Sequence, residues 1–382
     1  MVYLNSSTSN WTTKFTLKSN VIKRTVVGLS LLAYFALALF VGPPFIITNT
    51  LIIQIRSFQE VMNIALRLKK LPHIPYFVEF VWYAIILANY FCFVETFAQY
   101  TQVIINKYWL LRILVDFHKI ISLLLYFLGL IFFLVTLKKE FMLQQYTLLF
   151  WIHFLTIILT VQSYLFIQNL YEGLIWLMIP FLSIIINDIF AYFVGKNFGK
   201  TPLITLSPNK TVEGFVGGGI FTVLLGLFLA HIFCHYDYLV CPIKYYEADQ
   251  KILRFTNCTR NYLFQPIVYH VAYTNFSLNY YPFLQHALYL TLFASIVAPF
   301  GGFFASGFKR AVDIKDFGNI IPGHGGFMDR FDCYFLMGTF VNVYISTFIK
   351  ERNIEDITTR MNNLTLNEKL KLFSLLKSAL NE

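Results

Sequence analysis

The chain has 382 residues, of which 57% are hydrophobic and 13% charged, with 42 Phe and a formal net charge of +10. Its mean hydropathy of +0.61 excludes an ordinary soluble domain and identifies a polytopic membrane protein. In a soluble domain the positive balance would point to nucleic acid, but here the cations flank apolar runs, where they set topology and meet lipid headgroups, so nucleic acid is set aside.

In chain order, residues 1–24 form a polar N-terminal segment leading into Lys18, Lys23 and Arg24, and no cleaved signal peptide is expected from it. Residues 25–350 read as one multi-span membrane domain, and residues 351–382 as a polar tail with a helical pattern from Leu366 to Leu380. An all-α fold with about nine spans is expected, since each apolar run approaches the ~20 residues that cross a bilayer. The approximate limits are 26–41, 45–58, 77–97, 120–137, 146–167, 172–194, 215–234, 284–305 and 333–349. Gly42-Pro43-Pro44 breaks the helix between the first two, which would make them a hairpin. Tyr108 to Phe117 has the amphipathic look of a helix lying in the interface.

Lys and Arg concentrate on the cytoplasmic side of membrane proteins. With the N-terminus inside, the cytoplasmic segments hold Lys14, Lys18, Lys23 and Arg24, then Arg56, Arg67, Lys69 and Lys70, then Lys138 and Lys139. Later inside segments hold Lys196, Lys200 and Lys210, and finally Lys309, Arg310, Lys315 and Arg330, whereas Lys107, Arg112 and Lys119 fall outside. The polar loop of about residues 235–281 then lies in the lumen, a side compatible with the glycosylation sequons at Asn257 and Asn275, although Asn209 also opens a sequon on the opposite face. In an oxidising lumen Cys241 and Cys258 can pair, but spacing alone does not assign the bridge. Cys92 and Cys333 read as packing residues, and His231, Cys234 and His235 read as surface or interfacial packing before metal binding.

Two constellations carry chemistry. Ser306 to Asp332 holds four carboxylates, four basic side chains, one His and five Gly between two apolar runs. Continued as helix through Asp316, it would put Lys309, Asp313 and Asp316 on one face. Gly318, Pro322, Gly323, Gly325 and Gly326 then break the helix, and Asp329 and Asp332 return at i, i+3 before the last apolar run. Carboxylates at that depth need neutralising, and Mg²⁺ completed by phosphate oxygens would do it. Lys309, Arg310 and Arg330 answer phosphate, and His324 is a candidate base, phosphate donor or loop-shaping residue. The second constellation is Asp188, with Asn187 and Tyr192, inside an apolar run, followed by a basic loop in which Ser207, Lys210 and Thr211 offer hydroxyls and an ammonium to a polyphosphate. It is not a P-loop. Both constellations fall on the cytoplasmic face and can converge on one site.

Ser306, Lys309, Arg310, Lys315, Asp316, Pro322, His324, Gly325, Gly326, Asp329, Arg330 and Asp332 match the pattern S-x-x-K-R-x4-K-D-x5-P-x-H-G-G-x-x-D-R-x-D, in which the chain resembles the integral-membrane phosphatidate cytidylyltransferases, or CDP-diacylglycerol synthases. Residues 168–176 and 299–305 look like the animal endoplasmic-reticulum branch. The chain departs from that family in a shorter N-terminus and at Asn209 and Val212, where Lys and Trp are usual. The resemblance implies a multi-pass enzyme of the endoplasmic reticulum membrane, its site facing the cytoplasm, that joins CTP and phosphatidate into CDP-diacylglycerol and pyrophosphate. It implies catalysis by Asp316, Asp329, Asp332, Lys309, Arg310 and His324, and CTP and phosphate contacts from Ser207, Lys210, Thr211, Lys315, Gly325, Gly326 and Arg330. A paired cation site, Mg²⁺ with a second, monovalent ion such as K⁺, would fall to Asp316, Asp329 and Asp332 with Asp188 from a facing helix. The expected partners are the two substrates, the bilayer and a second copy of the chain in a homodimer. The rival readings are a CTP-dependent polyprenol kinase and a membrane ion or lipid transporter.

Overall fold

A computed structural model describes residues 26–68, 76–204, 207, 210–243, 245–248, 251–254, 258, 260–270, 277–321, 325–350 and 365–379. Pro322, Gly323, His324, Asn209, Asn257 and Asn275 lie outside the described residues, as do the N-terminal segment 1–25 and residues 351–364. The chain divides into a large unit, Met1–Val341, and a small one, Asn342–Glu382.

Lipid offers no partner to a backbone N–H or C=O, so an apolar run satisfies itself as helix. The helices are α1 (Val26–Val41), α2 (Pro43–Leu68), α3 (Phe77–Lys107), α4 (Trp109–Asp116), α5 (His118–Val135), α6 (Met142–Tyr171), α7 (Ile175–Phe198), α8 (Val212–Phe233) and the short α9 (Asp237–Val240). After the polar loop come α10 (Phe283–Ile296), α11 (Ala298–Ala311), α12 (Met328–Tyr344) and α13 (Leu366–Ala379). Among the described residues, seven segments are long and apolar enough to cross a membrane: Val78–Ala98, His118–Val135, Lys139–Tyr171, Ile175–Phe198, Val212–Phe233, Phe283–Ala311 and Met328–Ile349. With α1 and α2 they correspond one to one with the nine apolar runs. This is a multi-pass membrane protein with a helical fold. Helices α1 and α2 fold back on each other about Gly42: the Tyr34 ring lies 5.9 Å from Phe45, and its hydroxyl donates to Asn49 Oδ1. Helix α4 forms over the amphipathic stretch, and none of its residues is buried.

The polar loop adds two antiparallel hairpins to the expected all-α fold, β1 (Tyr245–Ala248) with β2 (Lys251–Arg254) and β3 (Ile267–His270) with β4 (Ser277–Tyr280). Cys241 and Cys258 form a disulfide. The His231, His235 and Tyr281 rings pack on one another with centroids 5.2–5.4 Å apart.

Two features position the site. Helices α7 and α8 approach closely because α8 opens on Gly214, Gly217 and Gly218; a Cβ on Gly218 would sit 2.9 Å from that of Ala191. A buried cluster joins Phe58 and Val61 of α2, Ile85 of α3, Ile152 and Leu159 of α6, Ala305 of α11, Phe335 of α12 and Phe317 from the segment between α11 and α12. Burying Phe317 tethers that segment to the core, an anchorage of roughly 1.5–3 kcal/mol for one fully buried aromatic side chain.

Candidate active site

Helix α11 ends at Ala311, and Asp313 takes φ 54°, so Ser306 to Asp316 is not one helix. The expected face of Lys309, Asp313 and Asp316 therefore does not form. An L-residue at positive φ stops the helix, and the chain turns toward α12. Lys309 Nζ instead donates to Asp329 Oδ1 at 2.7 Å and lies 5.5 Å from the Phe317 ring centroid. Asp329 Oδ2 accepts the amides of Phe317 at 2.8 Å and Gly326 at 3.0 Å. The Asp329 side chain is only 4% exposed, so its charge is answered by one ammonium and two N–H groups inside the protein. Asp316 stays exposed; a Cβ on Gly325 would lie 3.5 Å from its Cβ and 2.9 Å from Asp329 Oδ2. Gly325 has φ +85°, a conformation that glycine alone adopts cheaply.

Asp332, one turn beyond Asp329 on α12, accepts the Cys333 amide at 2.7 Å and packs against α11, with its Oδ2 3.5 Å from where a Gly302 Cβ would be. The charges of Lys309 and Asp188 both act on it. Asp188, on α7, stands in turn in the field of Lys210 and Arg330. Its side chain is exposed on α7. Phe181 of α7 and Tyr334 of α12 pack with ring centroids 4.6 Å apart, which fixes these two helices side by side.

The basic loop is braced by its own contacts. Glu213 accepts the amides of Lys200 at 3.1 Å and Thr201 at 3.2 Å and the Thr201 hydroxyl at 2.9 Å; the Leu203 amide donates to the Lys210 carbonyl at 2.7 Å. Thr211 caps α8, its Oγ1 accepting the Gly214 amide at 3.2 Å. Lys210 is thereby held with its Nζ 4.4 Å from the Phe303 ring centroid, over α11. Asp188 of α7 and Asp332 of α12 thus lie within electrostatic range of cations on the basic loop, α11 and α12.

The sequence model of the cytidylyltransferase family matches residues 22–348. The chain belongs to the cytidylyltransferase family. Among its relatives are phosphatidate cytidylyltransferase 1 of Rattus norvegicus, 40% identical over 94% of this chain and 79% of the relative, and the phosphatidate cytidylyltransferase of Caenorhabditis elegans, 39% identical over 95% and 79%. Phosphatidate cytidylyltransferase 2 of Mus musculus is 39% identical over 99% of this chain and 86% of its own length.

In this cytidylyltransferase-family chain the expected site residues divide by their surroundings. Asp188, Asp332, Lys210, Arg330 and Lys309 come together; Asp316, Lys315 and Arg310 are exposed near the α11 end, where Arg310 donates to the Ile314 carbonyl at 3.3 Å. Ser207 is half-buried in the basic loop, and Gly325 and Gly326 border Asp329. Thr211 has a capping role that its place in the sequence motif did not suggest. Among the described residues no three His, Cys, Asp or Glu side chains converge closely enough to hold a metal by themselves. The expected trio of Asp316, Asp329 and Asp332 does not gather, because Asp329 is drawn to Lys309 and two amides. The Asp188 and Asp332 pair still fits a divalent ion that takes one or two carboxylates and completes its shell with phosphate and water.

One residue in this assembly was missed. Glu60 of α2 is 5% exposed and accepts the amides of Phe327 and Met328, both at 2.9 Å. The only signal was a carboxylate in an apolar stretch, just past the expected limit of the second span at residue 58.

Proposed function

We propose that the protein is a phosphatidate cytidylyltransferase, transferring the cytidylyl group of CTP to phosphatidate with release of pyrophosphate. The observation that carries this is near-full-length similarity to phosphatidate cytidylyltransferases, joined to Asp188 in the field of Lys210 and Arg330 and Asp332 in that of Lys309. A phosphate oxygen of phosphatidate forms a bond to the α-phosphorus of CTP as the bond to the bridging α–β oxygen breaks. The nucleophile is already an anion, so the protein needs no strong base; positioning and charge neutralisation carry the catalysis. Lys210 and Arg330 hold the triphosphate and the leaving pyrophosphate, and Lys309, fixed by Asp329, faces the lipid phosphate. Arg310, Lys315 and Ser207 stand at the rim as further phosphate contacts, and His324 is assigned a contact to phosphate. Mg²⁺ held by Asp188 and Asp332 would screen the two substrate anions from each other and withdraw charge from the reacting phosphate. A monovalent ion such as K⁺ would share that site.

The site is assigned to the cytoplasmic face of the endoplasmic reticulum membrane, where the basic segments gather and CTP is available, and acyl chains enter sideways from the bilayer. The test is the fate of label: with CTP carrying ³²P at the α position, radioactivity is expected in lipid. Label entering lipid from the γ position instead would identify a lipid kinase and overturn the proposal.

A further inference from the structure

Glu60 lies far from the signature in sequence, yet its carboxylate is built into it. Oε1 accepts the Phe327 amide and Oε2 the Met328 amide, both at 2.9 Å, at the very start of α12. The first N–H groups of a helix have no partner within it, and the positive end of the helix dipole favours an anion there. A buried carboxylate is costly unless it is matched, and the ion pairs found among the described residues do not include Glu60. The backbone therefore supplies its compensation. Two glycines make the approach possible: a Cβ on Gly318 would fall 2.6 Å from Oε1, and one on Gly326 2.5 Å from Oε2. Gly326 is held from both sides, since its N–H donates to Asp329 Oδ2 while its Cα rests against Glu60.

We infer that Glu60 is a positioning residue of the transfer site, an inference that rests on the proposed transferase activity. Its two carboxylate oxygens fix the start and rotation of α12, and with them the direction in which Asp329, Arg330 and Asp332 leave the first turn. Glu60 touches no substrate; it acts through the backbone of Phe327 and Met328. The anchorage comes from α2, whose buried Phe58 and Val61 pack in the same cluster as Phe317, so the signature segment is held to the helical core at two points.

Glu60→Gln keeps the shape but retains one acceptor where two are needed, and turns an NH₂ toward an amide N–H. Full-length wild type and variant, purified in detergent, would be compared for kcat, for KM toward CTP and phosphatidate, and for hydrogen–deuterium exchange of the peptide spanning residues 317–331. The expected result is a kcat per folded molecule at least thirtyfold lower, KM for phosphatidate within threefold of wild type, and at least tenfold faster exchange at Phe327 and Met328. Gly326→Ala, which pushes the carboxylate away without removing it, is expected to give the same pattern. Where Glu60→Gln does not fold, Glu60→Asp, which withdraws the carboxylate by one methylene, takes its place. Wild-type kcat per folded molecule, or unchanged exchange at Phe327 and Met328, overturns the inference. The exchange measurement needs no turnover, so a wild type inactive on CTP and phosphatidate would sink the proposed activity while leaving the clamp testable.

Discussion

Lys309 and Asp329 form an ion pair whose side chains are 13% and 4% exposed, and removing one partner of so shielded a pair typically costs about 3–5 kcal/mol. Asp329→Asn is thus expected to lower both turnover and the unfolding temperature in detergent, because Lys309 is left uncompensated. Asp316→Asn, at an exposed carboxylate, is expected to lower turnover alone. Paired activity and unfolding measurements on the two variants separate these outcomes; equal destabilisation by both would remove the distinction drawn between them. The helical spacing of Asp329 and Asp332 was legible because α12 continues into an apolar run. The partner of Lys309 was not, since a left-handed Asp313 ends the helix and swings the chain away from the face that regular spacing extrapolates. Glu60 was legible only as a lone acid, because its partners are backbone amides, which carry no side-chain signature.

At the scale of elements, hydropathy located all nine runs, because lipid forces any long apolar segment to close its own hydrogen bonds. It set their ends less well: α2 runs to Leu68 and α3 to Lys107, beyond the apolar limits at 58 and 97, since a helix continues into polar sequence until something stops it. Close packing of α7 on α8 holds Asp188 against the basic loop, so Gly218→Leu is expected to push the helices apart. The expected readouts are faster proteolysis of the detergent-solubilised protein and at least tenfold lower turnover; wild-type resistance would contradict the packing described. The Cys241–Cys258 bridge closes a loop of 17 residues, for which about 3 kcal/mol of stabilisation is typical. A maleimide at pH 8 is expected to modify Cys241 and Cys258 only after reduction. Cys234 should remain unmodified in the folded protein, because burial pushes its thiol up to about 12 and shields it from the reagent. Rapid modification of Cys234 would argue against that burial.

Across the whole molecule, the proposed topology rests on charge asymmetry and the nine runs, which would put the basic loop and the signature segment on one side of the membrane and the disulfide-bearing loop on the other. The two constellations, distant in sequence, approach where Phe181 of α7 packs on Tyr334 of α12 and Lys210 lies over Phe303 of α11. Their placement on one face was an expectation from charge and hydropathy, whereas the contacts of Phe181 with Tyr334 and of Lys210 with Phe303 depend on helix packing that the sequence pattern does not encode. The central claim is that this site transfers a cytidylyl group to a lipid phosphate. Its most direct test is conversion of CTP and phosphatidate by the purified protein, with and without Mg²⁺, beside Asp188→Asn and Asp332→Asn. Mg²⁺-dependent formation of CDP-diacylglycerol by the wild type, reduced at least a hundredfold in both variants that still insert and fold, is the expected result; a wild type without that activity, or variants that retain it, would contradict the claim.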